Sequence, residues 1–328
     1  MKILFAGSPA IAVPTLLGIA GRHSIVGILT NPESAQGRGK EVLPTAVAAA
    51  ARESLGRDIP ILAFEKLGSE ARETVAALNP DILVAFAYGK IFGPKFLSLF
   101  PRGGINIHPS LLPRHRGSSP IQQAILDKDE ETGVSIQGLA SEMDSGDLFA
   151  VEKIALTGRE TAGTLSEQCA TIGARLALDV LEAMETGKAS AVAQAGTPTY
   201  CRKIAKEDGL IDWNLASADI DARIRAFDPW PGAYTYLEGQ RLNLLEARPF
   251  GEGEFRPADE ALPNVTAGTI IGMDKARGIM VRTGEGWLAL RRLQFSTRKA
   301  LSYKDFANGM RNLAGLRFSL PTQAKDNF

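Results

Sequence analysis

Cysteine is nearly absent from this chain of 328 residues: it has two, Cys169 and Cys201. That excludes a disulfide framework and a cysteine-based metal cluster, and it fits a reducing compartment. Histidine is scarcer than chance would give, with three copies, and aromatic residues make up 7%. Net charge is also lacking, since 37 Lys and Arg balance 37 Asp and Glu, so the whole-chain charge names no polyanionic partner. No run of 18 apolar residues occurs, and no membrane span is expected. The opening MKILFAGSPAIAVP is broken by Gly7, Pro9 and Pro14 and lacks the continuous apolar stretch of a signal peptide. A cytoplasmic protein is the expectation.

What is present is an ordinary globular composition, 45% apolar and 23% charged, in a chain long enough for two domains. Its charge is unevenly spread. Between Lys275 and Arg317 lie ten Lys or Arg and only two acids, Glu285 and Asp305. Such a basic stretch permits a phosphate-rich partner at the C-terminal end.

The first half alternates apolar strands with helices. Candidate strands are Ile3–Ala6, Ile25–Leu29, Ile61–Phe64, Ile82–Ala87, Gly104–His108 and Gly133–Leu139. This alternation predicts an α/β fold with a Rossmann-like, doubly wound, mostly parallel sheet. Ligands of such sheets bind beyond the C-terminal ends of the strands. A long helix with Leu165, Cys169, Ile172, Leu176, Val180 and Met184 on one face closes the domain; Thr164 and Glu167 suggest its capping box, and Gly187 its stop. Beyond it, Gly-punctuated hairpins predict a small OB-like β-barrel. The expected divisions are a catalytic domain over 1–189, a linker over 190–205, a barrel over 206–318 and a tail over 319–328.

The strongest local signal is GINIHPSLLPRHRG, residues 104–117. Alternation places Asn106 and His108 on one strand face, and Pro109 ends the strand. An Asn amide can donate to a developing oxyanion, and a His can carry a proton near neutral pH. The following strand leads to a Glu142-Met143-Asp144-Ser145-Gly146 turn, from which Asp144 could reach His108. Spacing alone leaves open that Asn106 is a turn former, His108 a strand-end histidine and Asp144 a plain turn aspartate.

Asn106-Ile107-His108-Pro109-Ser110-Leu111-Leu112-Pro113, with Asp144 in a Met-Asp-Ser-Gly turn, resembles the 10-formyltetrahydrofolate-dependent transformylase superfamily. Phe5-Ala6-Gly7-Ser8-Pro9, the NPESAQGRGK loop at 31–40, KIAKEDGLIDW at 203–213 and IRAFDPWPGA at 224–233 resemble its methionyl-tRNA formyltransferase branch. The likeness covers nearly the whole chain. It implies formyl transfer from 10-formyltetrahydrofolate, as co-substrate and without a metal, to the methionine of initiator methionyl-tRNA, by a chain taken as a monomer. It implies Asn106 as oxyanion donor, a protonated His108 as a second donor and proton shuttle, and Asp144 as orienter of the ring. It also implies a folate site of Tyr88, Gly89, Ile91, Phe92, Ser110, Leu111, Leu112, Pro113, Ala140, Glu142 and Met143. Arg38 and Lys40 of the loop, with Arg291, Arg298 and Lys299 of the basic stretch, are the implied tRNA contacts. The sequence departs from the branch where Glu33-Ser34-Ala35-Gln36 replace a Pro-Asp-Arg element, which puts tRNA affinity in question and leaves the triad intact. Rival readings are a glycinamide ribonucleotide or amino-sugar transformylase, a formyltetrahydrofolate hydrolase, and a non-catalytic RNA-binding module.

Overall fold

In the computed structural model, residues 1–36, 41–56, 58–255, 265–310 and 312–319 are described. Two compact units result: 1–124 with 130–156 and 164–203, and 125–129 with 157–163 and 204–328.

The first unit is built on a seven-stranded sheet: β1 Lys2–Gly7, β2 Ser24–Thr30, β3 Ile61–Ala63, β4 Ile82–Phe86, β5 Gly104–His108, β6 Glu131–Gly138 and β7 Leu148–Ala155. Their order across the sheet is β7-β6-β5-β4-β1-β2-β3. The pairs from β3 through β5 are parallel, and β6 and β7 are added antiparallel. The central strands are sealed on both faces: every residue of β4 is buried, as is every residue of β1 except Lys2. This is why they read as unbroken apolar runs. Full burial of side chains such as Phe5 and Phe86 stabilises the fold by about 1.5–3 kcal/mol each.

The chain runs outward from β1 to β3 and returns to β4 on the other side of β1. That switch point opens a crevice between the C-terminal ends of β1 and β4. After β4, Tyr88, Phe92, Phe96 and Phe100 form a row of ring contacts, with successive centroids 5.4, 5.6 and 5.7 Å apart. This row anchors the strand's exit loop in the core.

β7 was not marked by the sequence. It is an edge strand with most of its residues at least partly exposed, so it carries little apolar signal. The long helix runs over Ala162–Glu185 and therefore starts ahead of the expected Thr164 cap. Ala162 is buried like Leu165 and Cys169, and packing of that continued stripe carries the helix upstream. Gly187 follows the helix with φ +70°.

Residues 190–203 of the segment expected as a linker belong to the first unit. Val192 pairs with Leu148 in both directions, at 2.8 and 3.0 Å, and Tyr200–Cys201 lies parallel to Arg116–Gly117.

The second unit is an antiparallel β domain. Its strands β8 Ala233–Leu237, β9 Gln240–Phe250, β10 Ile270–Asp274, β11 Gly278–Arg282 and β12 Trp287–Phe295 lie in the order β8-β9-β12-β11-β10. Glu238 and Gly239, both at positive φ, make the tight turn between β8 and β9. Ser319 bridges to Tyr236 on one edge strand, and Arg317 bridges to Thr269 beside the other. One short segment thus joins both edges of the sheet, as a barrel requires. The core holds Trp213, Ile220, Leu244, Leu288, Leu290 and Phe306, among others. Among the described residues, no helix is long and apolar enough to cross a membrane.

Candidate active site

A cavity of about 470 Å³ fills the crevice at the switch point. Pro9 lines it beyond β1, Ala85–Phe92 at the end of β4, and Asn106, His108 and Pro109 at the end of β5. Gln137 lines it from β6, Gly138–Asp144 from the turn after β6, and Lys203 also contributes.

Asn106 and His108 share a face of β5 because they are two residues apart. The antiparallel register sets Gln137 opposite Asn106 and Ser135 opposite His108. Asp144 comes onto this face from the 139–147 turn and sits in the left-handed region at φ +52°. The turn fits only because Gly146 has no side chain: a Cβ there would stand 1.8 Å from the Gly138 carbonyl oxygen.

The Asp144 carboxylate is fixed at both oxygens. Oδ2 accepts from the Gly117 N–H at 2.8 Å. Oδ1 accepts from Gln137 Nε2 at 2.9 Å and, more weakly, from Asn106 Nδ2 at 3.4 Å. His108 lies with Nδ1 3.6 Å from the same Oδ1 and with Nε2 2.9 Å from the carbonyl oxygen of His115. A carbonyl can only accept, so Nε2 carries a proton. In the neutral ring Nδ1 is then a lone pair turned toward Asp144. Burial of the ring pushes the His108 pKa below its ordinary value of 6.5; Asp144 and the His115 carbonyl oppose this, and the His115 and Arg116 charges add to it. His108 therefore rests neutral near pH 7. The protonated His108 implied by the resemblance belongs to the reaction; at rest, ionising a fully enclosed imidazole costs more than the carboxylate at 3.6 Å returns.

Of the residues expected around folate, Tyr88, Gly89, Ile91, Phe92, Ala140, Glu142 and Met143 line the cavity. Ile91 and Met143 present exposed apolar surface there. Tyr88 has a buried hydroxyl with no hydrogen-bond partner among the described residues, and burial pushes its pKa up to about 12, so it stays a neutral donor. Ser110, Leu111, Leu112 and Pro113 do not line the cavity. Their backbone turns inward after β5, where Ser135 Oγ donates to the Ser110 carbonyl and accepts from the Leu112 N–H. They stand behind the site as its support.

Arg38 and Lys40 lie outside the described residues. The strands flanking them, Ser34–Gln36 and Glu41–Leu43, pair antiparallel. Arg291 lies half-buried on β12, and Arg298 and Lys299 are exposed in the turn that follows it. Three residues of the first unit were missed by sequence reasoning. Ser135 and Gln137 alternate with buried Val134 and Ile136, and polar positions inside so apolar a strand were the available signal. Gln194, within the Ala, Gly, Gln and Pro-rich stretch, gave none.

Residues 1–181 match the family model described as formyl transferase, and residues 203–311 match that of the formyl transferase C-terminal domain. The class defined by fold and site is thus formyl transferase. A methionyl-tRNA formyltransferase of Treponema pallidum is 43% identical over 315 residues, covering 94% of this chain and 96% of its own length. One of Dictyoglomus turgidum is 38% identical over 321 residues, covering 97% and 99%. The chain belongs to the methionyl-tRNA formyltransferase family. Among solved structures, an N-formyltransferase from Helicobacter canadensis in complex with folinic acid and dTDP-3-aminofucose superposes with a TM-score of 0.61 at 17% identity, over 88% of this chain and 98% of that one. HypX from Aquifex aeolicus in complex with tetrahydrofolic acid gives 0.58 at 15% identity over 95% of this chain, which spans about half of HypX. At these identities the likeness is one of fold.

Proposed function

We propose that this chain transfers the formyl group of 10-formyltetrahydrofolate to the amino group of methionine on initiator methionyl-tRNA. The observation that carries the chemistry is the convergence of Asn106, His108 and Asp144 at one cavity. The cavity suits a pterin, with apolar walls from Ile91, Phe92 and Met143. The acceptor is supported by relatives of nearly equal length and by the matched C-terminal domain.

The amine nitrogen attacks the formyl carbon, forming the new C–N bond and turning the carbonyl oxygen into an oxyanion. Asn106 has two N–H groups on its amide, and the one not directed at Asp144 serves as oxyanion donor. The nitrogen becomes cationic as it attacks and passes its proton to Nδ1 of neutral His108. The imidazolium then has a donor facing the Asp144 carboxylate, which holds the ring's orientation and balances its charge. When the bond to N10 breaks, the proton goes from Nδ1 to N10, and His108 returns neutral. The Gln137 and Gly117 bonds keep Asp144 from turning away. Arg38, Lys40, Arg291, Arg298 and Lys299 would bind phosphates of the tRNA, with the charge needed for backbone contact.

One comparison tests the reading. The chain is given 10-formyltetrahydrofolate with initiator methionyl-tRNA, with glycinamide ribonucleotide, or with no acceptor, and folate product is followed. Turnover with the tRNA alone is expected. Turnover with the ribonucleotide, or formate release without an acceptor at the same rate, would overturn the acceptor assignment.

A further inference from the structure

Gln194 lies outside every motif that marked the catalytic centre, yet all of its side-chain polar capacity is spent beside that centre. Its Oε1 accepts from Arg116 Nη2 at 2.7 Å and Nε at 3.2 Å. Its Nε2 donates to the carbonyl oxygens of Asp144 and Gly146, both at 2.8 Å. Arg116 offers only donors and the two carbonyls only acceptors, so a single orientation of the amide satisfies all four contacts. Arg116 is itself buried, and its backbone precedes Gly117, whose N–H holds Asp144 Oδ2. Gln194 therefore ties together the two backbone segments that meet at the Asp144 carboxylate.

Its own position is well determined. Val192 is paired with Leu148 two residues before it. After it, Thr199 bonds Pro113 and Arg116 through the backbone and receives the His115 N–H on its hydroxyl. The turn it grips holds Asp144 at positive φ, a conformation open to aspartate, and the two Gln194 bonds fix the carbonyls at Asp144 and Gly146 within it.

We infer that Gln194 is a positioning residue for formyl transfer: its amide fixes the left-handed Asp144 turn and so sets the distance from the Asp144 carboxylate to His108. This rests on the proposed roles of Asp144 and His108. The charged or titratable groups facing the His108 ring are Asp144 from the turn, and His115 and Arg116 from the segment after β5. Loosening the turn withdraws the one carboxylate among them.

The test uses the full chain with 10-formyltetrahydrofolate and initiator methionyl-tRNA, and the variants Gln194→Ala, Gln194→Glu and Asp144→Asn. Gln194→Glu keeps an acceptor for Arg116 while replacing the two donors with an oxygen that repels the carbonyls. Both Gln194 variants should lower kcat roughly ten- to a hundredfold, the scale of a displaced catalytic group. KM for both substrates should stay near wild type, and in Gln194→Ala, which adds no charge, the acidic limb of the pH profile should move to lower pH. A structural role alone would lower Tm and leave that limb in place. Wild-type kcat in folded Gln194→Glu or an unmoved limb in folded Gln194→Ala would overturn the inference, and so would loss of the fold in Gln194→Glu, since its Arg116 bond is retained. If Asp144→Asn itself turns over normally, the triad reading fails. If Asp144→Asn is inactive while the Gln194 variants are normal, only the role of Gln194 falls.

Discussion

The Nε2 atom of His108 stands 2.9 Å from the His115 carbonyl oxygen, and this single contact decides which ring nitrogen is left to accept a proton. With Nε2 committed as a donor, Nδ1 alone can take a proton, and it faces Asp144. Replacing either partner should be costly. His108→Ala and Asp144→Ala are each expected to lower kcat by at least about 10²-fold, the usual scale for an acid/base group. Steady-state kinetics with saturating donor and methionyl-tRNA measure it, and near-normal turnover of both variants would remove the residues from the mechanism.

The same burial has a consequence for stability. The folded His108 pKa is depressed, so below the unfolded value of 6.5 the unfolded chain takes up a proton that the folded chain refuses. Folding stability is therefore lost as pH falls from 6.5 toward the folded pKa, and is complete above 6.5. The Tm advantage of wild type over His108→Gln should shrink as the pH is lowered through that window. His23, whose pKa is also lowered by burial, is common to both proteins and cancels in the comparison. A Tm difference that does not change with pH would contradict a neutral buried His108.

Gly146→Ala tests the turn by steric means. Its Cβ would lie 1.8 Å from backbone that cannot swing aside, so the turn must shift. Overpacking of this kind costs about 1–3 kcal/mol. A lower Tm is expected by thermal unfolding, together with a fall in kcat, because Asp144 is two residues away. Wild-type kcat in a destabilised Gly146→Ala protein would show that the turn's position does not govern the chemistry.

The cations proposed to meet tRNA should report through salt. Alanine at Arg38, Arg291, Arg298 or Lys299 should raise KM for methionyl-tRNA. Each lost phosphate contact should lower the slope of its dependence on log salt concentration by about one. KM for the folate donor should not change. A slope equal to wild type removes that residue from the interface.

Six strands of the first sheet were legible because their apolar runs are short and bounded by turns. β7 was not, because an edge strand needs little apolar surface. Asn106 and His108 stood out by alternation on one strand. Their relation to Asp144 depended on the antiparallel register of β5 with β6, which follows from pairing and not from composition. Gln137 showed only as a polar position in an apolar strand, and its place opposite Asn106 follows from the same register. Gln194 was hidden more deeply: its stretch has linker composition, and only the Val192–Leu148 pairing and the Arg116 contact bring it to the site. The resting charge of His108 was also beyond the sequence, since it depends on how completely the ring is enclosed.

The central claim is that neutral His108, paired with Asp144, carries the proton of formyl transfer. The most direct measurement is the pH dependence of single-turnover formylation of initiator methionyl-tRNA, by wild type and by Asp144→Asn. Normalised to the unprotonated fraction of the acceptor amine, which titrates alike with both proteins, the wild-type rate should be constant above 6.5 and fall on an acidic limb below it, as His108 becomes protonated. In Asp144→Asn the residual rate should show that limb displaced to still lower pH, because the carboxylate that raises the His108 pKa is gone. A rate that rises with acidity, or a limb in the same place in both proteins, would contradict the account.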